Sequence, residues 1–275
     1  MDTLPPLGVI WVNLLRTALA MEGRMLTSLS RIVVFLALPC AALSGMFVSA
    51  QAPDPAAQAY AWIKDAQRNY QTAVKDYTCV FVSRENLKGR ANEDQFMAFK
   101  FRQAPFSVSM KWLGPQRLAG QEVAFVQGKN QNKLKVQSKG ILGVAGFVAV
   151  DPEDPRVREQ SRHTIYEAGI GNLIESTVRS WDFDKRSGKA VTRINEAEFD
   201  KRACYRIETI RTERLPQFYS YRSVIYLEKN SKYPIRNENY NWPVQGGDPN
   251  GELMEMFSYT GLQFNVGLAD RDFDR

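Results

Sequence analysis

The sequence is poor in the side chains that bind metals and carry out much of nucleophilic catalysis. Its 275 residues include one histidine, His163, and three cysteines. Zinc sites use several histidine and cysteine ligands, so a multi-histidine site is excluded and a zinc–cysteine cluster is not expected. The nucleophile elbow G-x-S-x-G, a Walker loop, H-E-x-x-H and C-x-x-C do not occur in the sequence. We therefore predict no metal, no cofactor and no enzymatic activity.

The charge balance is only mildly basic. Lysine and arginine total 36 against 30 acidic residues, a formal charge of +6 that is spread along the chain. Nucleic-acid-binding domains concentrate basic residues in a patch or stripe, so no nucleic-acid partner is predicted. Hydrophobic residues make up 44% and charged residues 24%, which is typical of a globular protein.

An uncharged apolar run occupies residues 32–50 and follows Arg24 and Arg31. It ends in small residues, which places a candidate cleavage site near Ala50. A basic segment, an apolar run and a small-residue exit predict a secretory signal peptide over residues 1–50. The alternative is an uncleaved N-terminal anchor, because the run approaches the ~20 residues that span a bilayer.

The first twenty residues fit no signal pattern by themselves, and Met21 or Met25 is a candidate true start. Cleavage predicts a periplasmic or secreted protein. The uncleaved alternative predicts a domain held at the membrane by its N-terminal helix.

Two cysteines, Cys79 and Cys204, lie outside the predicted signal peptide. An even pair in an oxidising compartment is typical of one structural disulfide, which we predict between them. The alternative is two buried thiols.

The mature chain begins with a predicted linker over residues 51–57, followed by a single domain over residues 58–275. Apolar residues spaced by three and four predict an amphipathic helix over 56–74. A second helix is predicted over 164–181. The segment 139–162 between the strands, apolar and glycine-rich and then broken by prolines, is expected to be irregular.

Alternating apolar and polar residues predict strands through most of the remaining chain. Each strand has one apolar face, which favours consecutive antiparallel strands with helices covering that face. The prediction is an α+β fold, a curved antiparallel sheet or unclosed β-barrel of about 9–11 strands, with two or three helices over its concave face. The predicted strands are 77–87, 93–102, 106–112, 122–127, 134–138, 189–199, 202–212, 219–229, 233–242 and 253–264.

Two groups of polar residues are candidate sites. His163 and Glu167 are four residues apart and could form a general base with its orienting carboxylate. A structural contact at a helix N-terminus is the favoured interpretation. Asp270, Asp272 and Asp274 alternate like calcium ligands but lack the glycine and distal glutamate of an EF-hand, which favours a solvated tail or turn.

Four segments resemble a bacterial domain family of unknown function found in exported proteins. They are Asp76–Cys79, Phe106–Val108 with Met110–Lys111, and Glu167–Ile174. The resemblance covers about residues 58–275.

That family in turn is similar to the Lol-type (LolA- and LolB-like) periplasmic lipoprotein carriers. The segments Phe257–Tyr259, Gly267–Leu268 and Asp272–Asp274 resemble the closing part of those carriers. The resemblance implies an unclosed antiparallel β-barrel whose helices cover an apolar cavity, and it implies no catalytic residues.

These observations lead to a hypothesis of a monomeric carrier for a lipid or an acylated, lipoprotein-type ligand. Envelope proteins or a membrane surface are further candidate partners. The alternative is a non-enzymatic envelope interaction or sensor domain with a filled core. The residues predicted to line the cavity are Phe99, Phe101, Met110, Trp112 and Phe125.

Overall fold

The computed structural model describes residues 54–87, 90–91, 93–137 and 146–274. The predicted signal peptide over residues 1–50 lies outside the described residues.

Helix α1 spans Pro55–Ala73 and begins where the sequence provides an N-cap. The Asp54 carboxylate accepts hydrogen bonds from the backbone N–H groups of Ala56 and Ala57. Proline suits the first helical position, since its missing N–H would have no intrahelical partner there. Residues 55–57, predicted as linker, therefore belong to the helix. Its buried stripe is Ala59, Ile63, Ala66 and Tyr70.

In the part of the chain that the structure describes, twelve strands form one antiparallel sheet in the order β7-β6-β5-β4-β3-β1-β12-β11-β10-β9-β8, with β2 paired to β1. The first long strand thus lies beside the last one, and β7 and β8 are the two edges. The strands are β1 (Asp76–Leu87), β2 (Arg90–Ala91), β3 (Gln95–Arg102), β4 (Ser107–Gly114), β5 (Glu122–Val126), β6 (Leu134–Gln137), β7 (Val148–Val150), β8 (Ala190–Phe199), β9 (Arg202–Arg211), β10 (Arg222–Glu228), β11 (Pro234–Tyr240) and β12 (Leu253–Phe264).

The predicted α+β fold is confirmed: helices accompany an antiparallel sheet, and the eleven described strands of its main path do not close into a barrel. Helices α1 and α3 (Ile170–Ser187) pack on one face of the sheet, which is called the inner face below. The core lies between them and contains Ile63, Tyr77 and Ile174.

The second helix was predicted too early. Thr164 begins a single 3₁₀ turn, Ile165–Glu167, and the chain then bends at Gly169 with φ +101° before α3 starts. Glycine adopts this conformation without steric cost, whereas other residues rarely do. A short helix, α2 (Pro155–Arg158), and strand β7 lie within the segment predicted to be irregular.

The two motifs behind the family resemblance meet in the core. The Tyr77 hydroxyl accepts a 2.9 Å hydrogen bond from the backbone N–H of Ile170 at the start of α3. Gly169 lies against the Phe101 ring, where an added Cβ would be 2.6 Å from a ring carbon. An added Cβ at Gly171 would likewise lie 2.7 Å from a ring carbon of Tyr70. Both glycines therefore permit the close approach of α3 to the sheet and α1.

A buried ion pair ties the end of α3 to strand β9. Arg211 is 2% exposed, and its guanidinium contacts both carboxylate oxygens of Asp184 at 2.9 Å. The same guanidinium donates to Ser180 and to the backbone oxygen and hydroxyl of Ser220. All its hydrogen-bonding partners are thus provided within the fold.

The acidic C-terminal tail packs on the outer face of the sheet. Asp272 pairs with Lys100 at 2.8 Å, and Asp270 pairs with Arg102 and Lys129 at 2.8 Å. Phe273 is buried beneath Arg102, whose guanidinium lies 4.9 Å from the ring centre. Of the two expectations, a solvated tail or a turn, the structure has the turn: a 3₁₀ turn spans Asp270–Asp272 and packs on the sheet.

The structure does not contain the predicted disulfide. Cys79 and Cys204 are free, buried thiols. Three strands separate β1 from β9 in the sheet, and each step between strands is ~4.8 Å. A disulfide needs Cα atoms within about 7 Å of each other, which this arrangement does not provide. Burial raises the pKa of both thiols, as expected for cysteines in a packed core.

Candidate functional site: the inner face and the His163 network

The inner face changes from aromatic to charged along strands β1 and β12. On β12, Tyr259 pairs with Phe81, Phe257 with Ser83 and Glu255 with Glu85. The face is therefore apolar where the helices cover it and carries carboxylates at the other end. The inner-face residues of β1 are, in order, Tyr77, Cys79, Phe81, Ser83 and Glu85.

The five predicted lining residues share the inner face of β3, β4 and β5. Strand pairing places Phe99 beside Met110, and Trp112 beside Met97 on the same face. Phe99, Phe101 and Phe125 are only 1%, 3% and 1% exposed and lie in the core. Whether any of the five contacts a ligand stays a prediction.

Met110 and Trp112 are half-buried and lie nearer the charged end of the inner face. The Trp112 indole N–H donates a 2.7 Å hydrogen bond to Gln95 on the neighbouring strand. Val123 and Val136 continue the row that begins at Met110, across β5 and β6. With Phe81 on β1 and Phe257 on β12, which are also half-buried on the inner face, these side chains form an apolar strip beside the packed core.

A cleft of about 180 Å³ reaches the inner face between α1 and α3. Its walls include Tyr70, Phe101, Gln103 and Glu175. Sites for drug-sized ligands usually measure about 300–1,000 Å³. This cleft is therefore too small to admit a long apolar ligand unless the helices move. A larger cleft, of about 530 Å³, has Lys100 among its walls.

A polar network occupies the charged end of the inner face and centres on Glu255. This carboxylate is only 1% exposed. It accepts hydrogen bonds from His163 Nε2 at 2.9 Å, the Tyr219 hydroxyl at 2.8 Å and the Asn239 side chain at 2.8 Å. Three donors on one buried carboxylate stabilise its ionised form.

The second ring nitrogen of His163 contacts Glu167 at 2.7 Å. Glu167 also accepts hydrogen bonds from the backbone N–H and hydroxyl of Thr164, which completes a capping box at the 3₁₀ turn. The predicted contact between His163 and Glu167 is thus present. It lies at a turn, however, and not along one helix face.

A second buried carboxylate, Glu85, holds the residues just before His163. It accepts a 2.9 Å hydrogen bond from the Ser161 hydroxyl and a 2.7 Å bond from the backbone N–H of Arg162. The Arg162 guanidinium donates to the backbone oxygen of Asn86. The chain from 161 to 163 is therefore attached to both β1 and β12.

The charges in the network are coupled. Burial opposes protonation of His163, but its hydrogen bonds to Glu255 and Glu167 and their charges outweigh this and raise the pKa of His163 to about 9. Burial by itself would raise the pKa of Glu255, yet the hydrogen bond and charge of His163 lower it. Burial raises the pKa of Glu85. At neutral pH, His163 is an imidazolium between two carboxylates.

This arrangement does not suit His163 for general-base catalysis. Both ring nitrogens carry protons and donate to carboxylates, so no lone pair is left to accept a proton from a substrate. In the described parts of the chain, no group of three or more histidine, cysteine and acidic residues is arranged to hold a metal ion.

Residues 74–275 match the model of the family described as "Protein of unknown function (DUF1571)". The chain belongs to the DUF1571 family. No curated protein matches it.

Several solved structures are similar to this DUF1571 chain in fold. MucB has a TM-score of 0.46 and 14% identity over 80% of the chain, which spans 63% of MucB. The Mycobacterium tuberculosis lipoprotein LppX has a TM-score of 0.43 and 8% identity, covering 79% of the chain and 99% of LppX. A LolA superfamily protein from Nitrosomonas europaea has a TM-score of 0.34 and 10% identity, covering 79% of the chain and 97% of that protein.

Sequence reasoning found only the local half of the polar network in the DUF1571 chain. His163 and Glu167 are four residues apart, and their spacing suggested a contact. Glu255 and Glu85 are 92 and 78 residues away from His163, and the pairing of β1 with β12 brings them together. An acidic residue on the apolar face of a strand was the one available signal, since such a residue needs a buried partner.

In the parts of the chain that the structure describes, no helix is long and apolar enough to cross a membrane. The apolar run over residues 32–50, on which the prediction of a signal peptide or an anchor depends, lies outside them.

Proposed function

We propose that this DUF1571 protein binds, and carries, a lipid or an acylated ligand on the inner face of its sheet. One observation supports this above all: a half-buried apolar strip lies between the packed core and a buried charged network. An amphiphile has the same division into an apolar chain and a polar head.

The strip begins at a pair of stacked rings. Phe81 and Phe257 lie 5.8 Å apart with their planes within 10° of parallel. Phe81 also contacts Phe99 at 5.5 Å. The strip then continues across the neighbouring strands through Trp112 and Met110. Rows of rings and thioethers adapt readily to flexible apolar chains.

An acyl chain on this strip would supply most of the binding free energy. Each buried CH₂ contributes ~0.8 kcal/mol, so burying part of a long acyl chain is enough for useful affinity. Because the His163 ring packs against Phe257, the segment before α3 has to move for a chain to cover the whole strip. We propose no catalytic role for any residue of the site. We also propose that the protein is exported to a periplasmic or secreted location.

Met110→Asp is expected to weaken binding of a dansylated undecanoic acid at least tenfold, because it places a charge on the strip. Leu113→Asp is the matched control, since Leu113 lies on the same strand but on the outer face and is 53% exposed. The affinities are measured by fluorescence titration of the delipidated full chain. Equal loss in both variants would contradict the assignment of the strip.

Phe101 is unsuitable for the same test. Its ring is buried against Gly169 and Tyr77, so Phe101→Asp would disrupt folding and ligand binding together. Met110 is half-buried and has no such role at the start of α3.

The second candidate function is an envelope interaction or sensor domain with a filled core. The burial of Phe99, Phe101 and Phe125 favours it. The two functions differ in one respect that the titration measures: a filled core binds no acyl probe, in the wild type or in any variant.

A further inference from the structure

The segment from Asp151 to Ala168 lies across the inner face at the end of the apolar strip, and is called the cover segment below. Ile165 is buried in the core. The Tyr166 ring packs edge-on against Phe125 at 5.2 Å, and the His163 ring packs edge-on against Phe257 at 5.3 Å. The cover segment therefore covers part of the strip assigned above to the ligand.

Polar contacts attach the cover segment to the sheet at two neighbouring points. At the first, Ser161 and Arg162 donate to Glu85 on β1. At the second, His163 donates to Glu255 on β12. Glu85 and Glu255 are directly paired residues of adjacent strands. Two like charges in such a position repel each other, and the nearby charge of His163, which bonds Glu255, offsets this repulsion.

We propose that His163 and Glu255 form a pH-sensitive clasp that holds the cover segment on the inner face and thereby controls access to the apolar strip. The control of access rests on the proposed function, whereas the clasp itself does not. The clasp gives a regulatory role to His163, the only histidine in the sequence.

Every element around His163 contributes a titratable or charged group. β12 contributes Glu255, β1 contributes Glu85, and the cover segment contributes Glu167 and Arg162. The connection between β9 and β10 contributes Tyr219. Burial and the nearby Glu255 raise the pKa of Tyr219, so this hydroxyl keeps its proton through the neutral range.

The direction of the pH effect follows from the shift on His163. Its pKa rises from 6.5 in the unfolded chain to about 9 in the fold. The stabilisation is therefore complete below about pH 6.5 and is lost as the pH rises through 9. On the acid side, folding lowers the pKa of Glu255 below its ordinary value of 4.5. The stabilisation that Glu255 contributes is therefore complete above pH 4.5 and is lost as the pH falls through its lowered pKa. The clasp is closed in mildly acidic and neutral solution.

Hydrogen–deuterium exchange on the full chain tests the clasp without any ligand. After correction for the intrinsic exchange rate, protection of amides 161–168 is expected to fall at least tenfold between pH 7 and pH 10. At pH 10 the solution is about one unit above the pKa of His163, and one pKa unit corresponds to a tenfold change in the equilibrium. In His163→Gln, protection is expected to be low and independent of pH. Arg156→Gln is the matched control, because Arg156 pairs with Asp154 within the cover segment and not with the sheet.

A wild-type protection that stays constant from pH 7 to pH 10 would overturn the clasp. The clasp would also be overturned if amides 161–168 were protected as well in His163→Gln as in the wild type. If that variant does not fold, the wild-type pH series alone decides the question. Entry of the dansylated fatty acid, followed by stopped flow, is expected to be at least tenfold faster at pH 10 and in His163→Gln. If the probe never binds while exchange follows the expected pattern, the clasp stands and the proposed function fails.

Discussion

Replacing Arg211 with alanine is expected to lower the free energy of unfolding by about 3–5 kcal/mol. The change leaves the Asp184 carboxylate, 7% exposed, without its cation beneath α3. It also removes the donors to Ser180 and Ser220. Chemical denaturation of the full chain measures the effect.

The reason for the large effect is the cost of an unpaired buried charge. Burial raises the pKa of Asp184, and Arg211 opposes this. Replacing both members of a buried ion pair by apolar residues of similar volume is often neutral or stabilising, whereas removing one member leaves a buried charge unpaired. The double variant Arg211→Met with Asp184→Leu is therefore expected to be more stable than Arg211→Ala.

Arg206→Ala is the control on the same strand. Arg206 pairs with Glu208 at 3.4 Å on the more accessible outer face, and its loss is expected to cost about 1 kcal/mol or less. If Arg211→Ala is no more harmful than Arg206→Ala, the ion pair does not anchor the end of α3.

Gly169→Ala is expected to destabilise the fold by roughly 2–6 kcal/mol, and two separate costs contribute. At φ +101° and ψ 158°, a backbone region that is essentially restricted to glycine, an alanine is strained by ~1–3 kcal/mol. Its Cβ would also lie 2.6 Å from the Phe101 ring, and overpacking a core typically costs ~1–3 kcal/mol. Thermal and chemical unfolding of the full chain measure the sum.

Two other glycines separate these costs. Gly188, the C-cap of α3, has the left-handed conformation φ +62°, ψ 18° and no atom within 4 Å of an added Cβ. Gly188→Ala therefore reports mainly backbone strain, of the milder left-handed kind. Gly171 carries the close contact with Tyr70 but lies within the helix, so Gly171→Ala reports mainly packing. Equal effects of Gly169→Ala and Gly188→Ala would show that the contact with Phe101 is unimportant.

The strand architecture could be predicted from the sequence because alternation is a local signal. Met97, Phe99 and Phe101 alternate with polar or small residues, and all three are buried on the inner face as expected. The start of α3 could not be located in the same way. The apolar periodicity continues through Ile165, and only the conformation of Gly169 separates the 3₁₀ turn from the helix.

The candidate site was predictable only in part, because it depends on distant residues. The apolar face of β3 and β4 follows from alternation, but its division into a packed core and a half-buried strip depends on where α1 and α3 lie. The count of two cysteines suggested a disulfide, yet the distance between Cys79 and Cys204 depends on the strand order. Likewise, the contact of His163 with Glu255 depends on the pairing of the first and last long strands.

The most direct test of the proposed function is native mass spectrometry of the full chain after production in a bacterium that exports it, combined with lipid extraction. We expect a bound lipid or acylated peptide near one per chain, and its loss in Met110→Asp but not in Leu113→Asp. A mass corresponding to the protein alone, together with no uptake of added phospholipid or fatty acid, would contradict the proposal and favour a filled-core interaction domain.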